Sequence, residues 1–182
     1  MTDKQFWSYL GGYFDGEGCV GIDFTKEKRK DKLNNSNPTK GWYFFPAFSI
    51  ETYDYEVLQN IKAFMDKQGI KCSKIKRKSV MTRTHHTKIS QQIGWYGWDS
   101  SKQFAEKMLN YTVAKKKQFE LFIELYNVWK NRKERIKCFN KPKWDIESFM
   151  EGIKIIDKMS LLKSRLIRSK YNTEFFKKEF NI

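Results

Sequence analysis

Asp15 and Glu17 are the first side chains in this sequence whose type and spacing could do chemistry. They stand at the end of Leu10-Gly11-Gly12-Tyr13-Phe14-Asp15-Gly16-Glu17-Gly18, a stretch that holds four of the chain's ten glycines and follows the apolar, helix-like run Phe6-Trp7-Ser8-Tyr9-Leu10. A glycine inside a helix costs about 1 kcal/mol relative to alanine, so Gly11-Gly12 predicts a close helix-helix approach that side chains would block. Two carboxylates at a helix C-terminus also oppose its dipole. Two readings account for them: a hard divalent cation such as Mg2+, which takes carboxylate and carbonyl oxygens, or a helix end at Gly16 or Gly18 followed by a solvated turn.

A second candidate is Lys115-Lys116-Lys117-Gln118, which opens a long amphipathic helix carrying Phe119, Phe122, Ile123, Leu125, Tyr126 and Trp129. Cations at a helix N-terminus are disfavoured by its dipole, so this cluster either calls for an anion or is solvated. His85 and His86 are adjacent in a polar stretch and suit a loop that touches phosphate better than a metal site, since neighbours in a strand point to opposite faces. Cys19, Cys72 and Cys138 are too widely spaced for a zinc site and read as reduced thiols.

Composition narrows the class. The chain of 182 residues, with 40% hydrophobic and 16% aromatic content, suits one domain with a real core and an appended segment. A formal net charge of +15 points to a polyanionic partner. No apolar run approaches a membrane span and the N-terminus does not resemble a secretory signal, so an intracellular nucleic-acid binder is expected. Only seven of the 36 basic residues are arginines, a bias that fits an AT-rich coding genome such as a mitochondrion's or chloroplast's.

The elements that must position these residues follow from periodicity. A helix is expected over 5–14. A strand starts at Cys19, with Val20, Ile22 and Phe24 alternating against polar Asp23, Thr25, Glu27 and Arg29; that polar face has the composition of a base reader or of a solvated strand. A turn-rich connection over 26–41 leads to a return strand over 42–51, where Pro46 predicts a bulge or an edge. A helix over 52–69 buries Val57, Leu58, Ile61, Phe64 and Met65 and stops at Gly69. Strands over 70–78, with Lys74, Lys76 and Lys78 on one face, and over 88–98, with Ile89, Ile93 and Trp95 opposite Ser90 and Gln92, are joined by a turn at 79–87. Ser100 or Ser101 can cap the next helix. Beyond 131 lie a basic linker, a helix over 145–159 with Phe149, Ile153 and Ile156 inward, and a basic run over 161–170.

The stretch Leu10–Gly18 resembles the motif of the LAGLIDADG homing endonucleases, with Gly11 where alanine is usual, and it occurs once. The resemblance covers residues 5 to about 130, with a second motif match at Lys115 to Gln118. It implies an α+β fold, an αββαββα core over 1–130 whose four-stranded antiparallel sheet binds DNA, and a basic helical extension over 131–182 packed on that core. It implies a homodimer, as single-motif members form, joined through the motif helices at Leu10, Gly11, Gly12, Phe14 and Asp15. The implied activity is a double-strand break in a long, roughly palindromic DNA target by hydrolysis dependent on Mg2+ or Mn2+. Glu17 and the Gly16 carbonyl would bind metal, Lys115 would face the cleaved phosphate with Lys117 behind it, and Thr52 takes the position of the family's water-orienting Gln. Matched strand positions offer Asp23, Thr25, Glu27, Arg29, Tyr43, Ser49, Lys74, Lys76 and Gln92 for base contacts. Some relatives are intron-encoded maturases, so intron RNA is an alternative partner; a DNA-binding regulator without cleavage is another.

Overall fold

Thr2 starts the first helix with a capping box, its hydroxyl accepting from the Gln5 N–H at 3.3 Å while Gln5 Oε1 accepts from the Thr2 N–H at 2.8 Å. The helix, α1, runs Asp3–Glu17 and outlasts the expected span at its C-terminal end. The computed structural model describes residues 1–26, 39–81, 87–132, 137–138, 141–142, 144–162 and 170–182. Most of the 26–41 connection, His85-His86 and much of the basic linker and of the basic run after it lie outside the described residues.

After α1 come β1 (Gly18–Cys19), β2 (Ile22–Lys26), β3 (Trp42–Pro46), β4 (Phe48–Thr52), α2 (Tyr55–Lys67), β5 (Lys76–Met81), β6 (Thr87–Trp95), α3 (Trp98–Met108), α4 (Lys116–Asn131), β7 (Lys137–Cys138), β8 (Lys141–Pro142), α5 (Ile146–Leu161) and α6 (Thr173–Phe180). The chain divides into two compact units, residues 1–22 with 46–119 and residues 23–45 with 120–182.

The first unit holds a four-stranded antiparallel sheet in the order β1-β4-β6-β5. Its register sets Phe48 opposite Trp95 and Ile50 opposite Ile93, and all four are fully buried. Alternation then puts Ser49, Glu51 and Gln92 on the other face. Leu10 and Phe14 of α1 join the buried side, where Phe14 meets the rings of Trp95, Phe104 and Phe119. The expected stripe on α2 is buried at Leu58, Ile61, Phe64 and Met65, and Gly69 ends the turn with φ of +68°, a conformation suited to glycine.

Three of the differences from the sequence reading have a visible local cause. Pro46 does more than bulge one strand: the hairpin breaks on both sides, with the Ala47 N–H donating to Gly21 O at 2.9 Å between the β1–β4 and β2–β3 pairs. The third strand begins at Lys76 instead of Ile70, because the Ser73 hydroxyl accepts the Gly94 N–H at 3.0 Å in place of a backbone rung; Lys74 therefore lies outside the strand. Neither serine caps α3: Gly97 holds the cap position, while Ser100 Oγ donates to Gly97 O and Ser101 Oγ to Trp95 O.

The second unit is built on aromatic rings. Phe24, Trp42, Phe44, Phe149 and Phe176 contact one another around the β2–β3 ribbon, α5 and α6. Phe149, Ile153 and Ile156 face inward as the pattern predicts. Gly152 is obligatory there, since a Cβ would sit 2.6 Å from the Phe44 ring. Helix α6 was not foreseen; it is short, and Asn172 caps it by accepting the Phe175 N–H at 2.9 Å.

Candidate active site at the end of the motif helix

Helix α1 carries three kinds of face. Leu10 and Phe14 point into the core, so their side chains have no surface left for a partner chain, which corrects their place in the expected dimer contact. Gly11 is spent inside the chain as well: a Cβ there would lie 2.1 Å from the Tyr111 carbonyl oxygen, which explains glycine where the resemblance has alanine. Gly12 and Gly16 are open, with no atom within 4 Å of a built Cβ, and Tyr9 is 42% exposed alongside its ring neighbour Tyr13.

Asp15 explains the conflict with the helix dipole. Its carboxylate accepts three consecutive backbone N–H groups, from Val113 at 2.7 Å, Ala114 at 3.1 Å and Lys115 at 3.0 Å, directly before α4. An acid disfavoured at the C-terminus of α1 is thus favoured at the N-terminus of α4, where it also supplies the anion that the lysine cluster lacked. In return the Lys115 ammonium donates to the Asp15 carbonyl, at the negative end of α1. Asp15 is an internal clamp between α1 and the start of α4.

Two residues on, Glu17 is exposed, and among the described residues its carboxylate makes no hydrogen bond or ion pair. Of the last-turn carbonyls of α1, Phe14 O takes the Gly18 N–H and Asp15 O takes Lys115, while Gly16 O has no protein partner among the described residues. Burial pushes the Lys115 ammonium below the usual lysine range, and the neighbouring Asp15, Cys19 and Glu17 act in the opposite direction. The result is a carboxylate and a carbonyl, both open, beside a partly desolvated cation. Such hard oxygen donors fit Mg2+ or Mn2+, which keep waters and phosphate oxygens in the rest of their shell. Among the described residues no three His, Cys, Asp or Glu side chains of one chain are grouped to hold a metal.

Thr52 ends β4, two residues past Ile50, whose partner Gly18 follows Glu17. Its hydroxyl oxygen accepts the Asp54 N–H at 3.2 Å. Gln91 lies directly opposite Thr52 on β6 and therefore shares its face; sequence reading missed it, although its position follows once the register is known. On the polar face Gln92 pairs with Glu51 on one side and Lys76 on the other, and Ser49 lies between Cys19 and Gly94. Tyr96, also missed, covers Gly94 and holds the Lys76 ammonium 5.6 Å from its ring centroid. Lys74 and Lys117 are exposed. In the second unit Asp23 is exposed on β2, with Thr25 and Tyr43 half-buried on β2 and β3; Glu27 and Arg29 lie outside the described residues.

Solved structures of similar fold cover nearly the whole chain. The archaeal intron-encoded homing endonuclease I-Vdi141I, complexed with DNA, matches with a TM-score of 0.69 at 18% identity over 99% of this chain and 97% of its own. The homing endonuclease I-CvuI, in complex with its target in the presence of calcium, matches with a TM-score of 0.68 at 17% identity over 98% and 96%. The LAGLIDADG meganuclease I-AabMI, bound to uncleaved DNA, matches with a TM-score of 0.57 at 20% identity over 96% of this chain but 48% of its own. At these identities the likeness concerns the fold. No curated protein sequence matches. The profile of the LAGLIDADG endonuclease family matches residues 10–105, more than half of the 182 and including the whole of the Leu10–Gly18 stretch, and the chain belongs to that family.

Proposed function

We propose that this chain is a site-specific endonuclease of double-stranded DNA that acts as a homodimer with a divalent cation at the end of α1. The observation that carries the reading is the open Glu17 carboxylate and Gly16 carbonyl beside Lys115. A protein gains nothing in stability from an exposed carboxylate at a helix C-terminus. The family, the net charge of +15 and the DNA in the solved structures of I-Vdi141I and I-CvuI support DNA as the substrate.

Dimerisation is supported by coverage and by surface. One copy of this chain matches about half of the longer I-AabMI, and Tyr9, Gly12, Tyr13 and Gly16 form an outward strip on which a second helix can come close. Two Glu17 side chains meeting across a twofold axis repel unless a counter-charge lies between them. Isologous pairing also makes the target roughly palindromic.

Glu17 and Gly16 O would hold Mg2+ or Mn2+, which when bound supplies Lewis acidity and neutralises phosphate charge. Lys115 stabilises the negative charge that grows on the phosphoryl oxygens, a contribution enlarged by its partial desolvation. The Thr52 hydroxyl, with its oxygen engaged by the Asp54 N–H, keeps a proton to donate, and the Gln91 amide across from it both donates and accepts. Together they orient the attacking water. Ser49, Glu51, Lys76 and Gln92 present mixed donors and acceptors to base edges; Asp23, Thr25, Tyr43, Lys74 and Lys117 add further contacts.

The test is incubation with Mg2+ and a library of palindromes built from randomised half-sites, followed by sequencing of cut ends. One long symmetric motif cut by the wild type and not by Glu17→Gln is expected. Enrichment by binding with no cut ends from either protein would overturn the nuclease reading, and preference for structured RNA over duplex would replace it with an RNA-binding one.

A further inference from the structure

One face of α1 serves a single short segment. Trp7, Gly11 and Asp15 recur at four-residue spacing and so share a face, and each meets the turn 111–115. The Trp7 ring stacks on Tyr111 with centroids 6.2 Å apart and planes 14° apart. Gly11 has no side chain because the Tyr111 backbone occupies that space. Asp15 takes the next three available N–H groups, those of residues 113 to 115. The near end of the turn is tied to α3, with the Tyr111 and Thr112 N–H groups donating to Met108 O at 3.0 and 2.9 Å. Its far end, the residue Lys115, is tied to Asp15.

We propose that Asp15 is a positioning residue for strand cleavage: by seating the 113–115 backbone on its carboxylate and the Lys115 ammonium on its carbonyl, it fixes that ammonium beside the Gly16–Glu17 edge of α1. This rests on the endonuclease reading given above. The carboxylate holds the main chain at Lys115 and the carbonyl holds the tip of its side chain, so a long flexible lysine is restrained at both ends by one residue. A lysine free to rotate would spend most of its time in other rotamers and lose the alignment on which electrostatic stabilisation depends. Asn at position 15 keeps one acceptor oxygen and turns an NH2 toward the remaining N–H, so it releases one side of the seat at nearly constant shape.

The experiment is a double-mutant cycle of Asp15→Asn and Lys115→Ala in the full chain, on the target recovered above. Cleavage rate at saturating enzyme, DNA affinity without divalent metal, and melting temperature are measured for all four proteins. Asp15→Asn is expected to slow cleavage about 100-fold, the scale of a misplacement near 1 Å, at a temperature well below its melting point and with DNA affinity within about threefold. In the Lys115→Ala background the same change should cost less than about twofold in rate, while its melting-temperature loss is the same in both. Gly11→Ala, which shifts the turn sterically without altering charge, should show the same non-additivity with Lys115→Ala and serves if Asp15→Asn does not fold. Equal rate losses in both backgrounds, or no rate loss, would overturn the positioning role and leave the nuclease intact. A wild type that binds but does not cut would instead bring down the nuclease reading and this inference with it.

Discussion

Two regions of the molecule treat a carboxylate in opposite ways. In the second unit Glu179 is engaged: Lys26 Nζ donates at 2.6 Å and Trp42 Nε1 at 3.1 Å to its Oε1, Lys40 donates to its backbone carbonyl, and the Lys26 hydrogen bond holds its carboxyl below the usual glutamate range. At the end of α1 Glu17 is left open. Asp15, two residues earlier, is as fully engaged as Glu179. Charge alone does not separate these acids; the donors that the fold brings to each one do, and they leave Asp15 and Glu179 half-buried and Glu17 exposed. An acceptor left without donors beside a partly buried lysine is what singles out the end of the motif helix as the proposed site.

The largest effect that would break this contrast is on Glu17. Glu17→Gln should lower cleavage by about 1,000-fold while unfolding free energy stays within about 0.5 kcal/mol of wild type, read by cleavage and urea titration side by side. Undiminished cleavage removes Glu17 from the chemistry. Next come the adjacent glycines. Gly11→Ala forces a methyl against Tyr111 O and should destabilise by about 1–3 kcal/mol; Gly12→Ala meets nothing in one chain and should be neutral or stabilising by up to about 1 kcal/mol. Gly12→Leu should keep the fold and abolish the proposed dimer in sedimentation equilibrium, and a persistent dimer would move the interface off this face.

A smaller contrast lies in the thiols. Cys19 is exposed next to the site, whereas burial pushes the Cys72 thiol up to about 11, so site-resolved alkylation at pH 8 should label Cys19 at least about tenfold faster. Comparable labelling would mean that Cys72 is not held as described. The smallest effect belongs to Glu179. A carboxyl whose folded pKa is depressed adds stability that is complete above its unfolded value and is lost as pH falls through the folded one. Glu179→Gln should therefore cost about 1 kcal/mol at pH 7, a cost that shrinks as the pH is lowered through the carboxyl's depressed folded pKa, as seen in urea midpoints. A gap that does not close on acidification would show that the ion pair is not its source.

Much of the first unit was legible because its signals are local. The apolar spacing of Leu58, Ile61, Phe64 and Met65, the alternation through Phe48 and Ile50, and the stop at Gly69 each depend on a few neighbouring residues. What misled were competitions between local options. Ser100 and Ser101 are adequate caps, yet their hydroxyls bond carbonyls instead, and Ser73 replaces a strand rung with its side chain. The turn formers before α6 hid a helix of eight residues, too short to show a period but held by packing of Phe176 and Phe180 on Phe149.

By itself the sequence determined the family, through the acid-Gly-acid-Gly tail of Leu10–Gly18, and the alternation that separates a polar sheet face from an apolar one. The tertiary structure alone decided which of two nearly identical acids is structural and which is open, and which of two adjacent glycines is spent inside the chain. Those outcomes depend on the turn 111–115, about a hundred residues away along the chain. Residue type sets what a side chain can accept or exclude, and only folding decides which donors and which atoms arrive beside it.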